Sequence, residues 1–199
     1  MTKVLIIGAH GQIARVATRQ LLERDGLALT LFLRRARRLE RLADNPRIRI
    51  VEGDATDEAA LAKAVEGQDV VYANLAGDMP RQAKAIIAAM TQQGACRLIF
   101  VSSMGIYSEI PGEPYRRILD PYRDSAAIVE NSGLDWTVIR PAWLSDAPAI
   151  AYGTTRKGEI FVNAGETVSR ASVADLVVRL ITEPGFGIGE SFGVHRATA

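Results

Sequence analysis

Short apolar runs and segments of helical spacing alternate along this chain from its first residues, and that alternation restricts the fold more than any other feature. Val4 to Ile7 is a continuous apolar run ending at a glycine, the pattern of a strand buried on both faces. Gln12 to Arg24 follows, with Ile13, Val16, Ala17, Leu21 and Leu22 at helical spacing. The same reading predicts strands at Leu27 to Leu33, Ile48 to Val51, Asp69 to Tyr72, Arg97 to Val101 and Trp136 to Ile139. Between them it predicts a short basic helix at Ala36 to Leu42, a helix capped by Thr56 and containing Leu61, Ala64 and Val65, and helices at Pro80 to about Gln93 and Tyr122 to Asn131. Six such alternations with short connections imply an α/β fold with a doubly wound parallel sheet and right-handed crossovers. After residue 141 the alternation loosens. A helix at Ser172 to Thr182 and a Gly-rich tail, Pro184 to Gly193, are expected to close the fold as a small C-terminal lid. Residues 1–199 are read as a single domain in which 142–199 form that lid or substrate portion.

Composition supports an ordinary globular domain. The 199 residues are 48% apolar and 24% charged, which excludes disordered, collagen-like and membrane-spanning chains. With 24 Lys+Arg against 23 Asp+Glu, the net charge of +1 gives no general footprint for nucleic acid or an anionic membrane, so neither is expected as a partner. A single cysteine, Cys96, permits no intrachain disulfide, and His10 and His195 have no metal-ligand spacing. The four apolar residues before Gly8 are too few for a signal peptide or a spanning helix, and a cytoplasmic location is the expectation.

Chemistry begins at Gly8-Ala9-His10-Gly11-Gln12-Ile13-Ala14, between the first strand and the first helix. Gly8 permits a tight turn, Gly11 a close backbone approach to a pyrophosphate, and Ala14 close packing of helix on sheet; the helix N-terminus offers N–H donors and a favourable dipole to phosphates. The spacing is GxxGxxA, and in its strand–turn–helix setting it predicts dinucleotide binding. His10 is read as a solvent-side loop residue of this turn, not a catalyst, because nothing in the sequence pairs with it. About twenty residues further on, where an acid would bind a ribose 2′-hydroxyl and Arg a 2′-phosphate, stand Arg34 and Arg35. NADP(H) is therefore favoured over NAD(H). Arg37, Arg38 and Arg41 are individually read as solvated. The longest irregular stretch of chemical interest, Ser102 to Pro121, lies beyond the fifth strand, where ligands of open α/β sheets bind.

The chain resembles the short-chain dehydrogenase/reductase superfamily, in its atypical, NmrA-like or NAD(P)H-binding branch with flavin- and biliverdin-reductase-like members. The resemblance rests on the glycine turn, Gly53-Asp54-Ala55, Asn74-Leu75-Ala76-Gly77, Ser102-Ser103 with Gly105 and Tyr107, Ser132-Gly133-Leu134-Asp135-Trp136-Thr137-Val138-Ile139-Arg140-Pro141, and Ser169 to Asp175. It implies a Rossmann-like sheet. It also implies Asp54 and Ala55 at the adenine, Leu75, Ala76 and Gly77 at the adenosine ribose and inner wall, and Ser102 and Ser103 at the nicotinamide side. Pro141, Ala142, Trp143 and Leu144 would hold the nicotinamide amide through their main chain.

One part of the family pattern is missing. Its dehydrogenases carry Tyr-x-x-x-Lys on the helix after the fifth strand, where the cation lowers the phenol pKa for proton transfer. Four residues after Tyr72, Tyr107, Tyr115, Tyr122 and Tyr152 stand Ala, Pro, Leu, Ala and Arg, and the four lysines are at 3, 63, 84 and 157. Without that relay, isolated ketones are poor substrates, whereas quinones and flavins give reduced anions that water can protonate. Ser103, Tyr107 and Tyr122 are the candidate hydrogen-bond donors in catalysis. The expected activity is NADPH-dependent reduction of a small redox acceptor, a quinone or flavin. The alternative is a noncatalytic NADP(H)-binding redox sensor of the NmrA-like type. Trp143 and the Pro148-Ala149-Ile150 segment belong to a pocket or to a subunit contact.

Overall fold

The computed structural model describes residues 1–197. Its strands are β1 (Thr2–Ile7), β2 (Leu27–Leu33), β3 (Ile48–Glu52), β4 (Val70–Ala73), β5 (Arg97–Val101), β6 (Asp135–Pro141), β7 (Trp143–Ser145), β8 (Tyr152–Thr155), β9 (Thr167–Ser169) and β10 (Glu190–Arg196). The α-helices are α1 (Gln12–Leu22), α2 (Glu58–Val65), α3 (Met79–Gln93), α4 (Asp120–Glu130) and α5 (Arg170–Thr182). Two 3-10 helices cover Ala36–Leu42 and Arg117–Leu119.

Eight strands form one sheet in the order β3-β2-β1-β4-β5-β6-β10-β8, parallel except for the edge strand β8. The chain moves outward from β1 through β2 to β3, then returns to place β4 on the other side of β1. That reversal opens a crevice above the carboxyl ends of β1 and β4. Period-two alternation builds a core on each face. Val4 and Ile6 pack with α1 and α5 residues such as Ala17, Leu21, Val173 and Val177. Leu5 and Ile7 face the opposite layer of Leu61, Ile86, Met90 and Val129.

Two local expectations are corrected. Thr56 does not cap α2; Asp57 does, accepting the Ala60 amide at 3.0 Å, while Thr56 donates its own amide and hydroxyl to Asp54 Oδ1. The Gly-rich tail is not all lid, because its end becomes β10 and pairs in parallel with β6. Gly193 suits that strand since a Cβ there would lie 2.4 Å from Thr155 Oγ1 and 2.6 Å from Phe161. Apart from this sheet, β7 and β9 form a two-stranded parallel pair, in which Trp143 faces Thr167 and Ser145 faces Ser169. The last two positions of the 142–199 portion lie outside the described residues.

Candidate functional site

A cleft of about 920 Å³ runs over the carboxyl ends of the strands, from Arg34, Arg35 and Arg38 past the glycine turn to Ser103, Tyr122, Trp143 and Leu144. The turn itself is fixed by hydrogen bonds. The amides of Gly8 and Ala9 donate to the Phe32 carbonyl at 3.0 and 3.2 Å, and Gly11 donates to the Gly8 carbonyl at 2.8 Å. Both glycines answer first to Asn74 at the end of β4. A Cβ on Gly8 would stand 2.1 Å from the Asn74 carbonyl oxygen, and one on Gly11 2.1 Å from its side-chain nitrogen. Close approach to the neighbouring strand end therefore adds to the phosphate-approach reason for Gly11.

The N-terminus of α1 opens onto this cleft with its donors free. Gly11 supplies no side-chain cap and the first turn holds no acid, whereas Asp57, Asp78 and Ser169 cap α2, α3 and α5. The Arg15 amide donates to the Gly11 carbonyl at 2.9 Å, so the amides of Gln12, Ile13 and Ala14 lie in the uncommitted first turn. Such an end suits an anion. His10 also lines the cleft; burial, and then Arg38, Arg15 and Arg41, hold its pKa below the ordinary imidazole value.

At the other end of the turn, β2 delivers Arg34 and Arg35. The following helix is 3-10, with three residues per turn, so Arg38 stacks on the side of Arg35 and joins the cleft wall. Arg38 is exposed to solvent and also borders the cleft. Among the described residues none of these three arginines has an ion-pair partner. The nearby Glu52 carboxylate is engaged by the Ala36 amide at 2.7 Å. Asp54 and Ala55 lie on the facing wall. Hydrogen bonds from the Thr56 hydroxyl and amide, with a smaller contribution from Arg34 and Arg81, hold the Asp54 carboxyl below the usual carboxylate range.

Leu75 and Ala76 line the cleft, but Gly77 does not. It turns the chain into α3, its carbonyl accepting the Met79 amide at 2.8 Å. Ser102, Ser103, Pro141, Ala142, Trp143 and Leu144 are all in the wall. The buried Ser102 ties β5 to α4 by donating to the Tyr122 carbonyl at 3.2 Å. Ser103 donates to the Met104 carbonyl at 3.1 Å, and Trp143 is half exposed with the Arg116 guanidinium 5.9 Å from its ring centroid.

Tyr107 is not a cleft residue. Its hydroxyl donates to Glu130 and contacts Ser191 Oγ at 3.2 Å, and its ring lies under Arg140 and Lys157. Burial, and then the hydrogen bond to Glu130, push its pKa up, so it serves as a neutral structural tie. Tyr122 is the one tyrosine in the cleft wall among the described residues, and no lysine joins it.

Sequence reasoning missed Asn74 as the steric partner of both glycines, together with Gln82 and Arg170. Gln82 Nε2 donates to the Ala76 carbonyl at 3.2 Å while its buried Oε1 has no partner. The uncapped helix end, the unpaired arginines and this orphaned acceptor, distributed along one elongated cleft, fit a dinucleotide.

The fold and this cleft define a dinucleotide-binding α/β protein. The chain belongs to the NAD(P)H-binding family, whose profile matches residues 8–184. It is 42% identical to a Rossmann-fold NAD(P)-binding family protein of Shigella flexneri, with a TM-score of 0.85 over 98% of this chain and 94% of that one. A short-chain dehydrogenase/reductase of Veillonella parvula DSM 2008, solved in complex with NADP, is 25% identical with a TM-score of 0.88, over 98% and 94% of the two chains. Among curated proteins, the (4-alkanoyl-5-oxo-2,5-dihydrofuran-3-yl)methyl phosphate reductase of Streptomyces griseus subsp. griseus is 27% identical over 188 residues. That match takes in 92% of this chain but only 64% of the relative's length. Among the described residues no helix is long and apolar enough to cross a membrane.

Proposed function

We propose that the chain is an NADPH-dependent reductase of a small redox acceptor of the quinone or flavin type. The observation that carries this reading is the composition of the cleft's two ends. Three unpaired arginines stand at one end, and Ser103, Tyr122 and a half-exposed Trp143 stand at the other without a lysine. Bound NADPH would supply a hydride. Arg34, Arg35 and Arg38 would hold the 2′-phosphate, because planar guanidinium groups match phosphate oxygens. Gln12 and Ile13 would donate their amides to the pyrophosphate, and the Pro141 to Leu144 main chain would orient the nicotinamide amide. Ser103 and Tyr122 would orient the acceptor through hydrogen bonds, and water would protonate the reduced anion. The names of the Streptomyces relative and the NADP-bound Veillonella structure favour a reductase with a phosphorylated cofactor.

Arg34→Ala should weaken NADPH binding by roughly 10- to 100-fold, the worth of a charge-assisted hydrogen bond, and leave NADH binding nearly unchanged. Fluorescence titration with both cofactors reads this; equal losses for the two would overturn the NADPH assignment. The activity is tested by NADPH oxidation against a panel of quinones and flavins. Rapid turnover supports the reductase, and tight NADPH binding without turnover assigns the chain to the noncatalytic sensor. Tyr122→Phe should lower turnover by less than about tenfold, against the roughly 10²–10⁴ expected where a general acid is lost. A larger fall in kcat would make Tyr122 the proton donor.

A further inference from the structure

We infer that Arg170 is an anion-binding residue at the Trp143 end of the cleft, and that the acceptor carries a phosphate or carboxylate group that Arg170 holds. The inference rests on the reductase reading for the word acceptor, but its observations are independent of the Arg34 cluster. β9 ends at Ser169, and its register beside β7 places Ser169 opposite Ser145. Arg170 therefore emerges on the small sheet that carries Trp143, and it lines the same cleft.

Three features mark its guanidinium as incompletely partnered. Its side chain is only 15% exposed, and its Nε is buried without a hydrogen-bond acceptor. A buried donor on a charged group left in that state is costly unless something else satisfies it. Its ion-pair partner is Asp146, at 2.8 Å, and the Asp146 side chain is 86% exposed. A pair anchored on so exposed a carboxylate is weak and easily exchanged for another anion. Finally, Arg170 is the first residue of α5, where the helix dipole disfavours a cation and no acid in the first turn offsets it. An anion entering the cleft would satisfy the guanidinium and relieve this unfavourable placement. The Arg116 guanidinium, 5.9 Å from the Trp143 ring centroid, is paired with Glu113 at 3.7 Å, so Arg170 is the cation this end offers. The chemistry indicated is a planar acceptor with an acidic group.

FMN and riboflavin form the test pair, since they share one ring system and differ by a terminal phosphate. The protein should prefer FMN by about tenfold or more, both in kcat/KM with NADPH and in calorimetric Kd on the NADP-loaded protein. Arg170→Gln should bring that ratio close to one, while Arg170→Lys should keep part of it. Asp146→Asn should raise FMN affinity, because it removes the carboxylate that competes for Arg170. Equal preference for the two flavins in the unaltered protein, or a preference that survives Arg170→Gln, overturns the inference. A loss of NADPH affinity in Arg170→Gln with the flavin ratio unchanged also overturns it, by assigning the held anion to the cofactor's pyrophosphate. Binding preference without turnover would sink the reductase reading and leave this anion site standing.

Discussion

Glu109→Ala should lower the free energy of unfolding by about 3–5 kcal/mol, the usual consequence of removing one partner from a buried ion pair. Arg140 is fully buried and Glu109 is 3% exposed, and Arg140 Nη1 meets Glu109 Oε1 at 2.5 Å. The other two guanidinium nitrogens are also engaged, Nε donating to Ser191 Oγ at 3.0 Å and Nη2 to the Ser191 carbonyl at 3.2 Å. Truncation at 109 would leave a charge in the interior between the Tyr107 and Phe161 rings. It would also release two amides, those of Gly105 and Tyr107, which donate to the Glu109 carboxylate at 2.9 and 2.8 Å. Urea unfolding should show a lower midpoint at constant m, and the melting temperature should fall by roughly 2–4 °C per kcal/mol for a chain of this size. The double variant Glu109→Leu with Arg140→Met separates the two contributions. Removing both charges should recover part of the loss, and the two unpaired amides should keep recovery incomplete. A Glu109→Ala protein within about 1 kcal/mol of the parent would mean that water reaches this pair, a measure of surface-pair behaviour.

The same network explains why Tyr107 was misread from the sequence. It stands four residues after Ser103 in a segment that had to be near the cleft, and local pattern says nothing more. Its direction is set by Glu109, whose carboxylate turns the loop back toward Arg140, 31 residues away in the chain. By contrast, β2 and β5 have the bounds expected from their largely apolar stretches, because strands buried on both faces need no partner to be recognised. β10 lacked that signal. Its Glu-Ser-Phe-Gly-Val-His-Arg sequence becomes a buried strand only because β6 and β8 flank it, and its glycine reads locally as loop. The tight turn at Gly8 to Gly11 was legible because a strand-to-helix connection is written in short spacings. The contact of Asn74 with both glycines and the place of Arg170 in the cleft wall were not, since each depends on an element brought beside it by topology.

Gly8→Ala should be the most damaging single-methyl substitution in the site, at about 2–5 kcal/mol. Left-handed backbone costs roughly 1–2 kcal/mol for a residue with a Cβ, and forced overpacking adds about 1–3 kcal/mol. Gly8 has φ +76°, and the added carbon would meet the Asn74 carbonyl oxygen at 2.1 Å and its carbon at 3.1 Å. That obstacle is main chain at the end of β4, so no side-chain change can remove it. Gly11 presents the opposite case. Its φ is an ordinary −58°, and the closest obstacle, also at 2.1 Å, is the Asn74 side-chain nitrogen. Asn74→Ala should therefore rescue most of the stability of Gly11→Ala, leaving the tight 3.1 Å approach to the Gly8 carbonyl, while NADPH affinity should stay lowered because the Cβ still faces the pyrophosphate. It should not rescue Gly8→Ala. A double-mutant cycle should give a coupling above about 1 kcal/mol for residues 11 and 74, and near zero for 8 and 74. Equal rescue of both glycine variants would show that the turn moves as a unit away from β4, and the steric account of the two glycines would then be wrong.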